Sequence, residues 1–195
     1  IKSVQPNGPY FLGSWSMGVV IAFEIAQQLK AMDDDVKLLA LLDQGPVLPK
    51  EEPEDEAAYL IDTFGKHVPL DVEALRQLDA DAQIAHVWKK AREVDWIYPD
   101  VTLPQFSHFV RMLQTQTDAW RAYVPRPYPG RITLFRARRQ SDHAPDSPDM
   151  GWSELALDGV EVIQTPGDHL SMIHNPRARI LARKLGRVLT QINGR

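Results

Sequence analysis

The sequence predicts an α/β fold: a mostly parallel sheet with flanking helices, into which a block of helices is inserted. Three observations predict it. A short apolar segment, a Ser/Gly turn and an amphipathic stretch follow one another near the start. A continuous apolar run, Val36 to Leu42, comes directly after. Residues from about 54 to 122 then show no convincing strand, and strand-like segments resume at Arg131. Strand, turn, helix, strand is the repeating unit of parallel sheets, because parallel neighbours need a crossover connection.

The elements follow in order. Pro6-Asn7-Gly8 is a turn signal, and Pro9 to Gly13 reads as a short buried strand. After the Ser14–Gly18 turn, Val19 to Lys30 places Ile21, Ala22, Ile25, Ala26 and Leu29 at helical spacing, with one face expected to be buried. Asp33-Asp34-Asp35 ends that helix. The run Val36 to Leu42 is apolar at nearly every position, as expected of a strand covered on both faces. Pro46, Pro49 and Pro53 mark a linker. Helical spacing then recurs in 57–64, 72–78, 80–94 and 105–122, with breaks at Pro69, Pro99 and Pro104. Strands are expected again at 131–136 and 160–163, separated by a polar loop holding Pro145 and Pro148. A final helix over 178–192 aligns Leu181, Leu185, Val188, Leu189 and Ile192 on one stripe.

Composition narrows the function classes. The 195 residues are 44% hydrophobic and 25% charged, enough apolar material for a core. A net charge of −4 gives no general attraction for nucleic acid or anionic lipid, so neither is an expected partner. The cluster Arg136, Arg138, Arg139 reads as a solvated loop edge. With no cysteine, disulfides and thiolate chemistry are excluded, and a cytoplasmic location is expected. No apolar stretch approaches the roughly 18 residues of a membrane span. No metal or bound cofactor is expected. Ile1 opens the chain almost directly on a strand, so the sequence is expected to be part of something longer.

The chemistry concentrates in Leu12-Gly13-Ser14-Trp15-Ser16-Met17-Gly18, between a strand and a helix. Serine is a weak nucleophile unless a strained turn exposes it beside a base. A sharp strand-to-helix turn presents the Ser16 hydroxyl and aims free N–H groups of the next helix at a developing oxyanion. Small residues two before and two after, here Ser14 and Gly18, let the backbone close tightly. His169 follows the last strand in Gly167-Asp168-His169 and is the candidate base. Loops at the carboxyl ends of strands converge on one edge of such a sheet. His67, His86, His108, His143 and His174 have no such placement and read as structural or solvated. Three carboxylates compete to orient the imidazole: Asp43, directly after the run ending at Leu42, and Asp142 and Asp146, in the polar loop after the next strand. Asp43 is favoured because it sits on rigid structure.

Pro9 to Gly18, with Ala22-Phe23-Glu24 behind it, resembles the nucleophile region of type I thioesterase domains, which end nonribosomal peptide synthetases and polyketide synthases. Leu39 to Asp43 is similar to that family's acid-bearing strand end. Tyr123 to Gly130, followed by Thr133 to Ala137, resembles its later core strand, and Pro166 to Ile173 resembles its histidine loop. Ser14 and Val19 stand where the family usually has glycines. The resemblance implies an α/β-hydrolase-like fold in a single domain, 1–195, with 52–128 as a helical lid over an acyl-binding channel. It implies that several N-terminal strands of the domain, with a second oxyanion donor, precede this sequence. It assigns Ser16 as nucleophile, His169 as base, Asp43 as acid and the Met17 N–H as an oxyanion donor.

The expected activity is release of an acyl, peptidyl or polyketide chain from the phosphopantetheine thioester of an acyl or peptidyl carrier protein. It would pass through an acyl-serine intermediate and end in hydrolysis or macrocyclisation. Trp88, Trp96, Phe106, Phe109 and Trp120 either line the channel or pack the lid. The competing readings are a stand-alone type II editing thioesterase, another serine esterase of this fold, and a catalytically silent docking module.

Overall fold

The computed structural model describes residues 1–48, 53–140 and 144–194. Four strands, β1 (Tyr10–Trp15), β2 (Val36–Leu42), β3 (Ile132–Ala137) and β4 (Val160–Thr165), form one sheet in the order β1-β2-β3-β4. All three pairings are parallel. The helices are α1 (Gly18–Ala31), α2 (Glu56–Phe64), α3 (Val72–Arg76), α4 (Ala80–Glu93), α5 (Leu103–Ala122) and α6 (Arg177–Asn193). Short 3₁₀ turns lie at Trp152–Glu154 and Ser171–Ile173.

The chain divides into two compact units, residues 1–48 with 120–195, and residues 49–119. The first holds the whole sheet. One of its cores joins α1 (Val19, Phe23, Ala26) to Leu39, Leu41, Ile132, Leu134, Tyr128 and Trp152. The other joins α6 (Leu181, Val188, with Leu185 and Leu189 alongside) to Leu38, Ala40, Phe135 and Ala137. Alternate residues of β2 and β3 therefore face opposite cores, which is why β2 is apolar at nearly every position. The second unit is built from α2 to α4 and most of α5 around Leu60, Phe64, Leu75, Val87, Phe106 and Val110.

Several expectations shift in detail. β1 runs on through Ser14 and Trp15, because both still pair with Leu41 and Leu42, so the turn itself is confined to Ser16 and Met17. Ile21, placed on the buried face of α1, is exposed. The face turned inward is Val19, Ala22, Phe23, Ala26 and Leu29, and Ile21 falls off that stripe. Pro104 does not break a helix; it occupies the first turn of α5, where no N–H is required. Residues 120–128, within the expected 52–128 insertion, fall in the first unit, where Tyr128 is buried and bridges Ala156. The expected start at 52, and Pro49, lie outside the described residues.

Candidate active site

Two adjacent strands end in the same unusual way. Trp15 and Leu42 are the last paired residues of β1 and β2, and the residues after them, Ser16 (φ 57°) and Asp43 (φ 54°), both take the left-handed conformation. That region costs a non-glycine residue roughly 1–2 kcal/mol, so each turn must be held by its surroundings. Backbone bonds supply the hold: Ser16 N–H donates to Leu42 O (3.3 Å) and Asp43 N–H to Phe135 O (2.9 Å). Both side chains are thereby lifted off the sheet at its carboxyl edge.

Close packing at the Ser16 turn explains its small residues. A Cβ on Gly18 would overlap Ser14 Oγ, so a side chain at 18 requires that hydroxyl to rotate away. Met17 caps α1 and lies at its N-terminus, where backbone N–H groups lack intrahelical acceptors.

His169 arrives from the turn after β4. Gly167, at φ 102°, is required there twice over: by its backbone and because a Cβ would strike Arg177 and the Ser171 hydroxyl. His169 Nε2 lies 3.0 Å from Ser16 Oγ. Its Nδ1 faces two oxygens of Asp43, the main-chain O at 3.0 Å and Oδ2 at 3.2 Å. Since both are acceptors, the neutral ring carries its proton on Nδ1 and leaves Nε2 to accept from the Ser16 hydroxyl. The structure thus brings Ser16, His169 and Asp43 into one hydrogen-bonded line. Such a line can move the hydroxyl proton onto the ring while a carboxylate faces the resulting imidazolium. Asp43 is buried, 4% exposed, whereas Ser16 and His169 are only partly covered.

The remaining Asp43 oxygen is fully used. Oδ1 accepts from Ala137 N–H (2.7 Å) and from Gln140 Nε2 (2.8 Å), and the Gln140 amide also donates to Ala137 O (2.7 Å). Sequence reasoning missed Gln140. The signal available was only its position in the loop after β3, which in sequence also carries the two rival acids. Of those, Asp146 is exposed, and Asp142 lies outside the described residues. In the Arg136–Arg139 cluster, Arg138 and Arg139 are exposed, as expected of a loop edge, and the segment is also bonded to its neighbour. Arg138 and Arg139 N–H donate to Thr165 O and Gly167 O, and the Arg139 side chain reaches Asp168 at 2.7 Å. These bonds zip the β3 loop to the histidine loop. Hydrogen bonds from the Ser171 hydroxyl and backbone N–H, with Arg139 adding to them, pull the Asp168 carboxyl down to about 2.

Two indoles anchor the chain leaving Asp43. Trp152 Nε1 donates to Gln44 O (2.7 Å), and Trp120 Nε1 donates to Pro46 O (2.8 Å). Trp120 is therefore a packing residue of the sheet unit. Phe106 is buried in the helical core, and Trp88 donates to Val101 O; Trp96 and Phe109 are the exposed members of the aromatic set. His67, His108 and His174 are exposed and His86 is half-buried on α4; His143 lies outside the described residues. Among the described residues, no cluster of His, Asp and Glu could hold a metal ion, and no helix is long and apolar enough to cross a membrane.

A parallel sheet flanked by helices, with a serine at a strand-to-helix turn and a histidine after the last strand, defines an α/β-hydrolase-like domain. Comparison makes this specific: the chain belongs to the thioesterase domain family, which it matches over residues 1–189. Among curated relatives, it is 27% identical over 98% of its length to chondramide synthase cmdD of Chondromyces crocatus, of which it spans 5%. It is 26% identical to inactive atromentin synthetase invA3 of Paxillus involutus, covering 89% of this chain and 19% of that protein. The chain thus spans a fifth or less of these relatives. Among solved structures, a four-domain nonribosomal peptide synthetase, holo-AB3403, superposes with a TM-score of 0.80 at 27% identity, covering 95% of this chain and 15% of that one. The NocB thioesterase domain in covalent complex with a fluorophosphonate nocardicin G analogue gives 0.66 at 25% identity, covering 96% and 69%. The domain is thus a thioesterase domain of the type found in nonribosomal peptide synthetases and polyketide synthases.

Proposed function

We propose that this domain releases an acyl, peptidyl or polyketide chain from a phosphopantetheine thioester on a carrier protein, through an acyl-Ser16 intermediate. The observation that carries this reading is the line Ser16 Oγ–His169 Nε2, His169 Nδ1–Asp43. The Ser16 hydroxyl attacks the thioester carbonyl as its proton passes to His169 Nε2. The C–S bond breaks, and the imidazolium returns that proton to the departing thiol. Water, or a hydroxyl or amine of the bound chain, then attacks the acyl-serine with His169 again taking the proton. Ser16 is regenerated, and the product is a free acid or a ring. Asp43, fixed by Ala137 N–H and Gln140, holds the ring tautomer and faces the imidazolium. The Met17 N–H is assigned to the oxyanion, and the inserted helical block, expected over 52–128, to the role of a lid. No resident cofactor takes part in these steps. The fluorophosphonate complex of the NocB domain supports the assignment of a serine nucleophile by analogy.

The test is mass spectrometry of the intact protein incubated with acyl-pantetheine thioesters. An acyl adduct on the Ser16 peptide, absent in Ser16→Ala, is expected, together with released acid or ring. Hydrolysis that persists undiminished in Ser16→Ala would overturn the covalent mechanism. A silent docking role is the second reading, favoured by the relative named as inactive; correctly folded intact protein that forms neither adduct nor product would establish it.

A further inference from the structure

Trp15 immediately precedes Ser16 and ends β1, where it pairs with Leu42. Two separate contacts tie it to His169. The indole and imidazole rings stack, with centroids 5.1 Å apart and planes 26° from parallel. The indole Nε1–H also donates to the main-chain oxygen of His169 at 3.0 Å. One side chain therefore restrains both the tilt of the ring and the backbone from which it hangs.

This matters because His169 lies in an irregular stretch between β4 and the 3₁₀ turn Ser171–Ile173. No helix or strand fixes its backbone, yet its Nε2 must point at one hydroxyl. Trp15, by contrast, is held in the sheet ladder and packs beside Leu38, Ala40 and Phe135. We propose that Trp15 is the positioning residue for His169. The indole keeps Nε2 aimed at the Ser16 hydroxyl, and its π face lies against the ring when the proton arrives and the ring becomes cationic. This rests on the reading of Ser16 as nucleophile and His169 as base. Ordinary packing in the α6-side core is the rival explanation of the same contacts.

Fluorophosphonate labelling of Ser16 in the intact protein separates the two. In that reaction a P–O bond forms, fluoride leaves, and the hydroxyl proton goes to His169, so the rate of the bond-forming step reads the aim of Nε2. Measured against probe concentration, labelling yields that rate and the probe's Ki separately. Trp15→Phe keeps a ring face and loses the N–H; it is expected to slow bond formation by roughly 3–10-fold. Trp15→Ala loses both contacts and is expected to slow it by about 100-fold. In each, Ki stays within about twofold. Thermal melting is recorded alongside, and the Phe variant decides the matter if the Ala variant does not fold. Unchanged bond formation, a loss confined to Ki, or a Phe variant as slow as a folded Ala variant overturns the proposal. If the parent protein labels at Ser16 but the variants match it, only this inference falls. If the parent protein does not label at all, the reading beneath it falls as well.

Discussion

Both compact units have apolar cores, but the polar bonds at the helix starts of one and at the sheet edge of the other differ in reach. In the helical unit, α2, α3 and α4 each begin with an aspartate whose side chain accepts from the N–H three residues on: Asp55 from Ala58 (2.8 Å), Asp71 from Ala74 (3.0 Å) and Asp79 from Ala82 (2.8 Å). Each cap is a local device, satisfying a helix-end N–H from within one turn. At the carboxyl edge of the sheet, the bonds that matter join residues far apart in the chain: Asp43 to Ala137, Asp43 to His169, and Ser16 to His169. Damage to a local bond is graded and stays near its origin. Damage to the convergent set misplaces groups that act as a unit, and such groups lose function far out of proportion to the bond removed.

That contrast can be broken or sharpened by substitution. The largest effect is expected at Asp43. Asp43→Asn should lower Ser16 acylation by roughly 10³–10⁴-fold, since the wrong tautomer leaves the serine without a base; Asp146→Asn should stay within about twofold. Equal losses in both, measured as pre-steady-state acylation rates, would refute the assignment. Next comes Gly18→Ala, expected to cost about tenfold in the same assay, because the new Cβ overlaps Ser14 Oγ and forces that hydroxyl to rotate within the turn. The double change Ser14→Gly with Gly18→Ala should recover most of that loss. Gln140→Ala removes one of two donors to Asp43 Oδ1 and should slow acylation about tenfold while Ala137 N–H keeps the carboxylate in place.

In the helical unit, Asp79→Ala should cost about 1 kcal/mol in denaturant unfolding and leave the acylation rate unchanged. The smallest effect concerns Asp168. Its carboxyl is held below the usual carboxylate range, so its stabilising contribution is complete above the ordinary value near 3.9 and fades as pH falls towards about 2. Solvent screens this half-exposed side chain. Asp168→Asn should therefore only slightly flatten the fall in melting temperature between pH 5 and pH 2.5, an effect visible in paired thermal scans.

Much of this was legible in the sequence, for reasons specific to each residue. The β1-turn-α1-β2 order was readable because apolar periodicity changes within a few residues, and Ser16 stood out between two small neighbours in that turn. Asp43 was readable as the first polar residue after an unbroken apolar run, and His169 from Gly167 and its place after the last strand. Gln140 and the Trp15 stack were not readable. Nothing near residue 140 shows that an amide there will meet a carboxylate on another strand, and a tryptophan in a buried segment reads as core. Ile21 was misplaced because apolar spacing alone leaves the rotation of a helix about its axis loose by about one residue.

The two indole hydrogen bonds after Asp43 have a consequence for how such a domain can diversify. Pro46 and Trp120, the points where the chain departs for and returns from its helical excursion, are joined by the second of them. The excursion is thus a loop whose mouth is already shut by the sheet unit. Lengthening a loop with fixed ends costs only about 0.6 kcal/mol for each doubling. New helices could therefore be spliced in beyond this clasp while the carboxylate upstream stays where it was.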